Sequence, residues 1–281
     1  MTLGQRGCFM LFRWAAVCLV LFLAACQTTS NVDCGVEVDY VNYIPAGDGC
    51  LAITILNTKS AHEAPAMMVF IEGDVRGASG ELSISWPVSR LEARHAILVD
   101  VSRPGYANWK GDKSSGTPQY ASMAPISEID QVANALENLK AHFGVSRLVV
   151  VGHSGGAAYA GVILGRYPDL IDIAVLHGCP CDMKTWHGDS QVRALDPIRY
   201  VSSIPKTARV VLIVGGKDKN TVPRQVENYA DKLKDLGIPS KFIVTPYGKH
   251  WIDTNWSYVR KTVNLALESD LANFDEYILE N

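Results

Sequence analysis

Val149-Val150-Val151-Gly152-His153-Ser154-Gly155-Gly156-Ala157-Ala158 decides the reading of this chain. Three consecutive valines favour a strand, because β-branched side chains pack well on a pleated surface. Small residues then open a helical stretch, so the chain must reverse between Gly152 and Gly156. The pattern Gly-x-Ser-x-Gly puts Ser154 at the apex of that reversal, where strained backbone angles lift its hydroxyl clear of the strand. Glycines at 152 and 156 let strand and helix approach closely, since neither carries a Cβ to collide. Gly155 then directs its N–H to the place where an attacked carbonyl oxygen would gather negative charge.

Outward from this turn the chain alternates. Apolar runs at Ala66–Ile71, Ala96–Val101 (broken only by Asp100), Arg147–Val151, Ile171–Leu176, Arg209–Val214 and Lys241–Thr245 suit strands covered on both faces of a parallel sheet. Between them, Ile129, Val132, Ala133, Leu136 and Leu139 recur at helical spacing, with Ser127 able to cap the start and Gly144 to close the end. Further helices are expected at about Gly156–Tyr167, Arg224–Leu236 and Ser257–Leu267. Ahead of the alternation, Val36–Ile44 and Leu51–Leu56 read as two strands joined by the turn Pro45–Gly49. The pattern predicts one α/β domain over residues 36–281, a mostly parallel sheet with helices on both faces. Reactive groups in such sheets lie in loops at the strand C-terminal ends. With 281 residues, 48% of them hydrophobic and 20% charged, the chain can bury a large core. A formal charge of -3 offers no basic surface for nucleic acid.

In this strand–turn–helix setting, the Ser154 stretch resembles the nucleophile elbow of the α/β-hydrolases, whose layout extends from about Ala66 to the chain end. A serine hydroxyl is barely ionised near neutrality; it needs a base, and the base needs a carboxylate to hold its tautomer. The resemblance implies the order serine, acid, histidine. Asp218 is the implied acid, since Val211–Val214 runs into Gly215-Gly216-Lys217-Asp218; Asp182, after the preceding strand, is the alternative. His250, in Thr245-Pro246-Tyr247-Gly248-Lys249-His250, is the implied base. His153 is expected to pack near the oxyanion side, and His142 to complement a helix end. His62 and His95 precede strands, at the wrong end of the sheet.

The second oxyanion donor is expected from the backbone N–H of Asp74. There Ile71-Glu72-Gly73-Asp74 stands where many relatives carry His-Gly-Gly, and is similar to a set of exported bacterial hydrolases with an Ile-Glu-Gly-Asp stretch. A carboxylate at 74 would repel an oxyanion unless turned aside, and Arg76 is near enough in sequence to do so.

The N-terminus reads separately. Arg6 and Arg13 precede an apolar run from Trp14 to Ala25, too short for a comfortable membrane span and suited to a signal segment. Leu23-Ala24-Ala25-Cys26 resembles the bacterial lipobox, which implies residues 1–25 as signal peptide, lipidation at Cys26 and a tether over 26–35. Gln27 favours the outer membrane over the inner under the enteric sorting rule, so the expected location is the periplasmic face. Removing residues 1–25 takes off two arginines and no acid. An oxidising compartment favours disulfides, and Cys34 with Cys50 is the expected pair. Cys179 and Cys181 stand two apart, where a bond looks strained, and are expected as small buried side chains.

His177-Gly178-Cys179-Pro180-Cys181-Asp182 with His187 gathers ligand types, but Cys-Pro-Cys is not Cys-x₂-Cys, and no metal is expected. No phosphate-cradling glycine motif occurs. The loops Arg103–Pro125, with Tyr106, Trp109 and Tyr120, and Cys179–Pro205, with Trp186, either wall a substrate pocket under a small or absent lid or turn their aromatics inward. The leading function is hydrolysis of a small-molecule ester or related acyl compound, without cofactor. Two alternatives stand. Asp196–Tyr200 and the Arg224–Leu236 helix are similar to the prolyl-oligopeptidase catalytic domain, which implies a peptidase. The altered Glu72–Asp74 stretch would also suit a catalytically silent envelope binding protein. Oligomeric state leaves no sequence signal.

Overall fold

The computed structural model describes residues 38–57, 66–74, 91, 96–187, 196–268 and 271–280. These fall within one compact unit, Val32–Asn281. Residues 1–37, with the signal segment, Cys26 and Cys34, lie outside the described residues, as do His62, Arg76 and His95.

Among the described residues, eight strands form one sheet: β1 (Tyr43–Ala46), β2 (Gly49–Asn57), β3 (Ala66–Ile71), β4 (Ala96–Val101), β5 (Arg147–His153), β6 (Ile173–His177), β7 (Arg209–Gly215) and β8 (Ser240–Thr245). Their order is β1-β2-β4-β3-β5-β6-β7-β8. β1 and β2 pair antiparallel, as does β2 with β4; from β4 to β8 every pairing is parallel. The expected first strand, Val36–Ile44, is shorter and later. Asp39 is the reason: its carboxylate accepts the backbone N–H groups of Val41, Asn42 and Tyr43 and folds that stretch into a turn.

Among the described residues there are six α-helices: α1 (Ile126–Phe143), α2 (Gly155–Arg166), α3 (Met183–His187), α4 (Pro223–Asp235), α5 (Trp256–Glu268) and α6 (Leu271–Leu279). The sheet alternates its side chains between two cores. Met67, Val69, Ile71, Val150, Leu176, Leu212 and Val214 pack with α1, α2 and α4. Met68, Phe70, Val149, Val151, Val211 and Ile213 pack with α5 and α6 on the other face. Burial on both faces explains why β3, β5 and β7 read as unbroken apolar runs. Gly144 ends α1 at φ 63°, while Pro125, not Ser127, precedes it. No helix among the described residues is long and apolar enough to cross a membrane.

The long segment after β4 folds back onto the antiparallel edge. Ser114 Oγ accepts the Ala52 N–H and Ser115 Oγ that of Cys50, both 2.9 Å. Tyr106 turns inward and is buried, as the second reading of that loop expects for it, whereas Trp109 and Tyr120 stand exposed.

Leu212 lies in the middle of β7 with no exposed surface. Leu212→Ala is expected to destabilise the fold by about 2–5 kcal/mol. Urea unfolding should show a lower midpoint at unchanged slope.

Candidate active site

β5 ends at His153 and α2 begins at Gly155, leaving Ser154 alone to turn the chain. Its backbone sits at φ 51°, ψ −116°, a sparsely populated region that costs on the order of 1–3 kcal/mol for a residue with a side chain. Contacts on both sides hold it there. The Ser154 N–H donates to the His177 carbonyl at the end of β6, 2.9 Å away. A Cβ on Gly156 would collide with the carbonyl oxygens of Ile71 and Glu72, and one on Gly152 with the Ala157 backbone. The glycines at 152 and 156 thus have the role their sequence suggests: they admit α2 against β5 and β3.

The ends of β7 and β8 bring up the other two groups. Gly215, Gly216 and Gly248 let the loops cross: Gly216 N–H donates to Thr245 O at 2.7 Å and Lys217 N–H to Gly248 O at 2.9 Å. Asn255 donates from Nδ2 to the carbonyls of Lys249 and Trp251 and so fixes the histidine loop from behind. His250 Nδ1 lies 2.8 Å from Asp218 Oδ2, and His250 Nε2 lies 2.9 Å from Ser154 Oγ. Three residues far apart in sequence form one hydrogen-bonded line. Nδ1–H donates to the carboxylate, which leaves Nε2 free to accept the serine proton.

Asp218 is held firmly. Oδ1 accepts the N–H groups of Asn220 and Thr221 at 2.8 and 3.0 Å, and Oδ2 accepts the Thr221 hydroxyl at 2.9 Å. Burial alone would raise its pKa, but the His250 bond and these donors outweigh it and hold the carboxyl below its usual range. Asp182, the alternative acid, caps α3 instead, with Oδ1 accepting the Thr185 N–H. Asn220 Nδ2 also lies 3.0 Å from His250 Nε2, and its carbonyl accepts the Trp186 indole N–H at 2.7 Å. Trp186 therefore braces the acid loop. Neither Thr221 nor Asn220 carried a sequence signal beyond closeness to Asp218.

A second imidazole pair backs the first. His153 Nδ1 and His177 Nδ1 are 2.9 Å apart, and the His153 ring centroid lies 5.2 Å from that of His250. Burial, with His177 and His250 nearby, holds His153 well below the usual histidine range; burial, then His250, pushes His177 down to about 3. Both rings are neutral near pH 7, so one donates to the other. His153 also borders the Gly73 loop, where its Cδ2 would lie 3.4 Å from a Cβ at 73.

On the oxyanion side, the cation that holds Asp74 comes from another part of the chain. Arg103, at the end of β4, holds the Asp74 carboxylate aside: Nη2 donates to Asp74 Oδ1 at 2.8 Å and to Gly73 O at 2.7 Å. Arg103 follows β4, which lies beside β3 in the sheet, and so is nearer to Asp74 in space than in sequence; Arg76, the candidate the sequence offers, lies outside the described residues. The Ala121 N–H also donates to Asp74. Glu72 Oε1 accepts the Gly73 N–H at 2.9 Å, and burial raises the Glu72 pKa to about 7. Gly155 faces this loop, with Asp74 Oδ1 2.7 Å from the position of a Cβ there.

The cysteines correct a second expectation. Cys179 and Cys181 are joined in a disulfide with Cα atoms 5.1 Å apart, inside the span such bonds use. Gly178, at φ 54°, lets the chain turn ahead of them so that the two side chains meet. Their sulfurs are thus no thiolate ligands, and among the described residues no group of three or more His, Cys, Asp or Glu is placed to hold a metal ion. Cys50 is disulfide-bonded.

A parallel sheet wrapped by helices, with a serine on the strand–helix turn and a histidine–carboxylate pair over it, defines a serine hydrolase of the α/β-hydrolase fold. Residues 122–268, just over half of the chain, match the model of the prolyl oligopeptidase family, and the chain belongs to that family. Solved structures of this fold include the Pyrococcus horikoshii acylaminoacyl peptidase (TM-score 0.65, 14% identity, 85% of this chain and 43% of that one). Others are a Mycobacterium tuberculosis puromycin-hydrolyzing peptidase (0.60, 16%, 84% and 39%) and a Pyrococcus furiosus esterase (0.61, 18%, 80% and 90%). The chain thus spans less than half of either peptidase and most of the esterase. No curated protein matches the sequence.

Glu72 gives a pH signature. Its folded pKa lies near 7, above the ordinary 4.5, so the folded state holds the proton more tightly than the unfolded chain. Its contribution is complete below about pH 4.5 and is lost as pH rises to about 7, by up to about 3 kcal/mol. Glu72→Gln, which keeps an acceptor for the Gly73 N–H, should flatten that part of the stability profile in urea titrations between pH 4.5 and 8.

Proposed function

We propose that this chain cleaves a carboxylic ester or related acyl bond through an acyl-enzyme on Ser154, with His250 as general base and acid and Asp218 as its orienting carboxylate. The observation that carries the reading is the unbroken line Ser154 Oγ–His250 Nε2, His250 Nδ1–Asp218 Oδ2, at 2.9 and 2.8 Å. As Oγ attacks the carbonyl carbon, its proton passes to Nε2. The carbonyl oxygen, now negative, is held by the N–H groups of Gly155 and Asp74. The imidazolium, supported by Asp218, returns the proton to the leaving group, and water then releases the acyl group by the same steps in reverse order. No cofactor enters this chemistry.

The ester reading is supported by the likeness of the fold to a Pyrococcus furiosus esterase (TM-score 0.61). Membership of the prolyl oligopeptidase family supports the second reading, a peptide or aminoacyl bond. The envelope location belongs to the same proposal and rests on Arg6, Arg13, the apolar run to Ala25 and Cys26. There the lipid on Cys26 would tether the domain to the periplasmic face of the outer membrane.

A fluorophosphonate probe should label wild type and leave Ser154→Ala unlabelled; an unlabelled, folded wild type would return the chain to the silent binding reading. On p-nitrophenyl esters, Asp218→Asn is expected to lose about 10⁴-fold in kcat. Faster turnover of aminoacyl anilides than of acyl esters by wild type would select the peptidase reading. Cys26→Ser should abolish incorporation of labelled palmitate in a bacterial host.

A further inference from the structure

Arg103 has no exposed surface, and its Nε and Nη1 have no hydrogen-bond partner among the described residues. Its guanidinium carbon lies 4.6 Å from the Tyr106 ring centroid and 5.0 Å from that of Tyr159. A cation so enclosed is costly, and well-packed apolar side chains often serve stability as well or better. What it does with the donors it uses is specific. Nη2 alone reaches both Gly73 O and Asp74 Oδ1, the carbonyl of one residue and the side chain of the next.

Gly73 C=O and Asp74 N–H belong to the same peptide plane. In a trans peptide they point in opposite directions, so anchoring the oxygen fixes the direction of the N–H. The neighbouring plane is held too, by Glu72 Oε1 on the Gly73 N–H. Gly73 rests against the nucleophile: a Cβ there would stand 2.9 Å from Ser154 Cβ and 3.0 Å from the His153 carbonyl oxygen. The Asp74 carboxylate, which would oppose an oxyanion, is neutralised by Arg103 and tied down by the Ala121 N–H.

We propose that Arg103 is a positioning residue for the reaction: by gripping Gly73 O and Asp74 together, it aims the Asp74 N–H at the developing oxyanion and cancels the charge beside it. The proposal rests on the acyl-enzyme reading above. It makes Arg103 act through the loop, without touching substrate.

The test uses purified wild type, Arg103→Met, Arg103→Lys and Asp74→Asn, each checked for folding by urea titration. Turnover of a p-nitrophenyl ester is measured beside the affinity of an alkyl boronic acid, whose tetrahedral adduct mimics the oxyanion. Arg103→Met should lose 10²–10³-fold in kcat with KM within about threefold, and boronate affinity should fall in parallel. Arg103→Lys, which keeps the charge and a donor, should regain part of that loss. Asp74→Asn, which removes the anionic half of the grip and leaves the buried Arg103 without its counter-charge, should lower kcat and boronate affinity together, in the same direction as Arg103→Met. Should Arg103→Met not fold, Arg103→Gln replaces it under the same readouts. A folded variant with unchanged kcat and boronate affinity, or with raised KM alone, overturns the proposal. Fluorophosphonate labelling that depends on Ser154, measured on the same preparations, separates the two readings. If it holds while Arg103→Met matches wild type in kcat and boronate affinity, only the positioning role falls; if it fails, both fall.

Discussion

The closeness of α2 to β5 and β3 is the constraint on which the remainder of the site depends. Ser154 holds φ 51° only because the backbone before and after it is pinned, and the pinning requires that nothing stand between Gly156 and the carbonyls ending β3. The same approach brings the β3 loop against Ser154. Strain at Ser154, on the order of 1–3 kcal/mol, is offset by the buried cores on the two faces of the sheet. A strand–helix reversal with one more side-chain carbon in it would push the serine, the β3 loop and α2 apart together.

Around this turn the sheet concentrates polar groups at one edge. The C-terminal ends of β3, β4, β5, β6 and β7 deliver Glu72, Arg103, His153, His177 and, beyond Gly215, Asp218. All are buried, and their burial separates their charges. Asp218, given three donors besides His250, stays ionised. Glu72, with Oε2 unpaired among the described residues, has its pKa lifted towards neutrality, and His153 and His177 are kept neutral. His250 is therefore flanked by one firm negative charge and by rings that carry none, an arrangement that suits Nε2 to accept a proton from Ser154 while Asp218 stays ionised. Arg103 supplies the positive charge on the opposite side.

Much of the scaffold was legible in the sequence because parallel strands buried on both faces must be continuous apolar runs. The runs Ala66–Ile71 and Ala96–Val101 mark their strands to the residue, and Lys241–Thr245 starts one residue after its strand does. The start of the first strand was not legible, since three backbone N–H groups converging on Asp39 are a local polar event inside a β-prone stretch. Ser154, Asp218 and His250 could be selected because each follows a strand and a glycine turn, a local pattern. The Cys179–Cys181 bond escaped the same reading: separation by one residue says nothing of the turn at Gly178 that points the two side chains together.

The sequence by itself determined the strand–helix alternation, the serine at its sharpest turn and the candidate base and acid, because these follow from steric demands that neighbouring residues record. Tertiary structure alone decided that Arg103 faces Asp74, that His153 leans on His177, and that Thr221 and Asn220 clasp Asp218 and His250. Apart from the clasp of Asp218 by its own loop, those partners come from adjacent strand ends or opposed loops. Hydrogen bonds and ion pairs act over a few ångströms of space, and sequence order does not encode that distance until the sheet has brought its strand ends side by side.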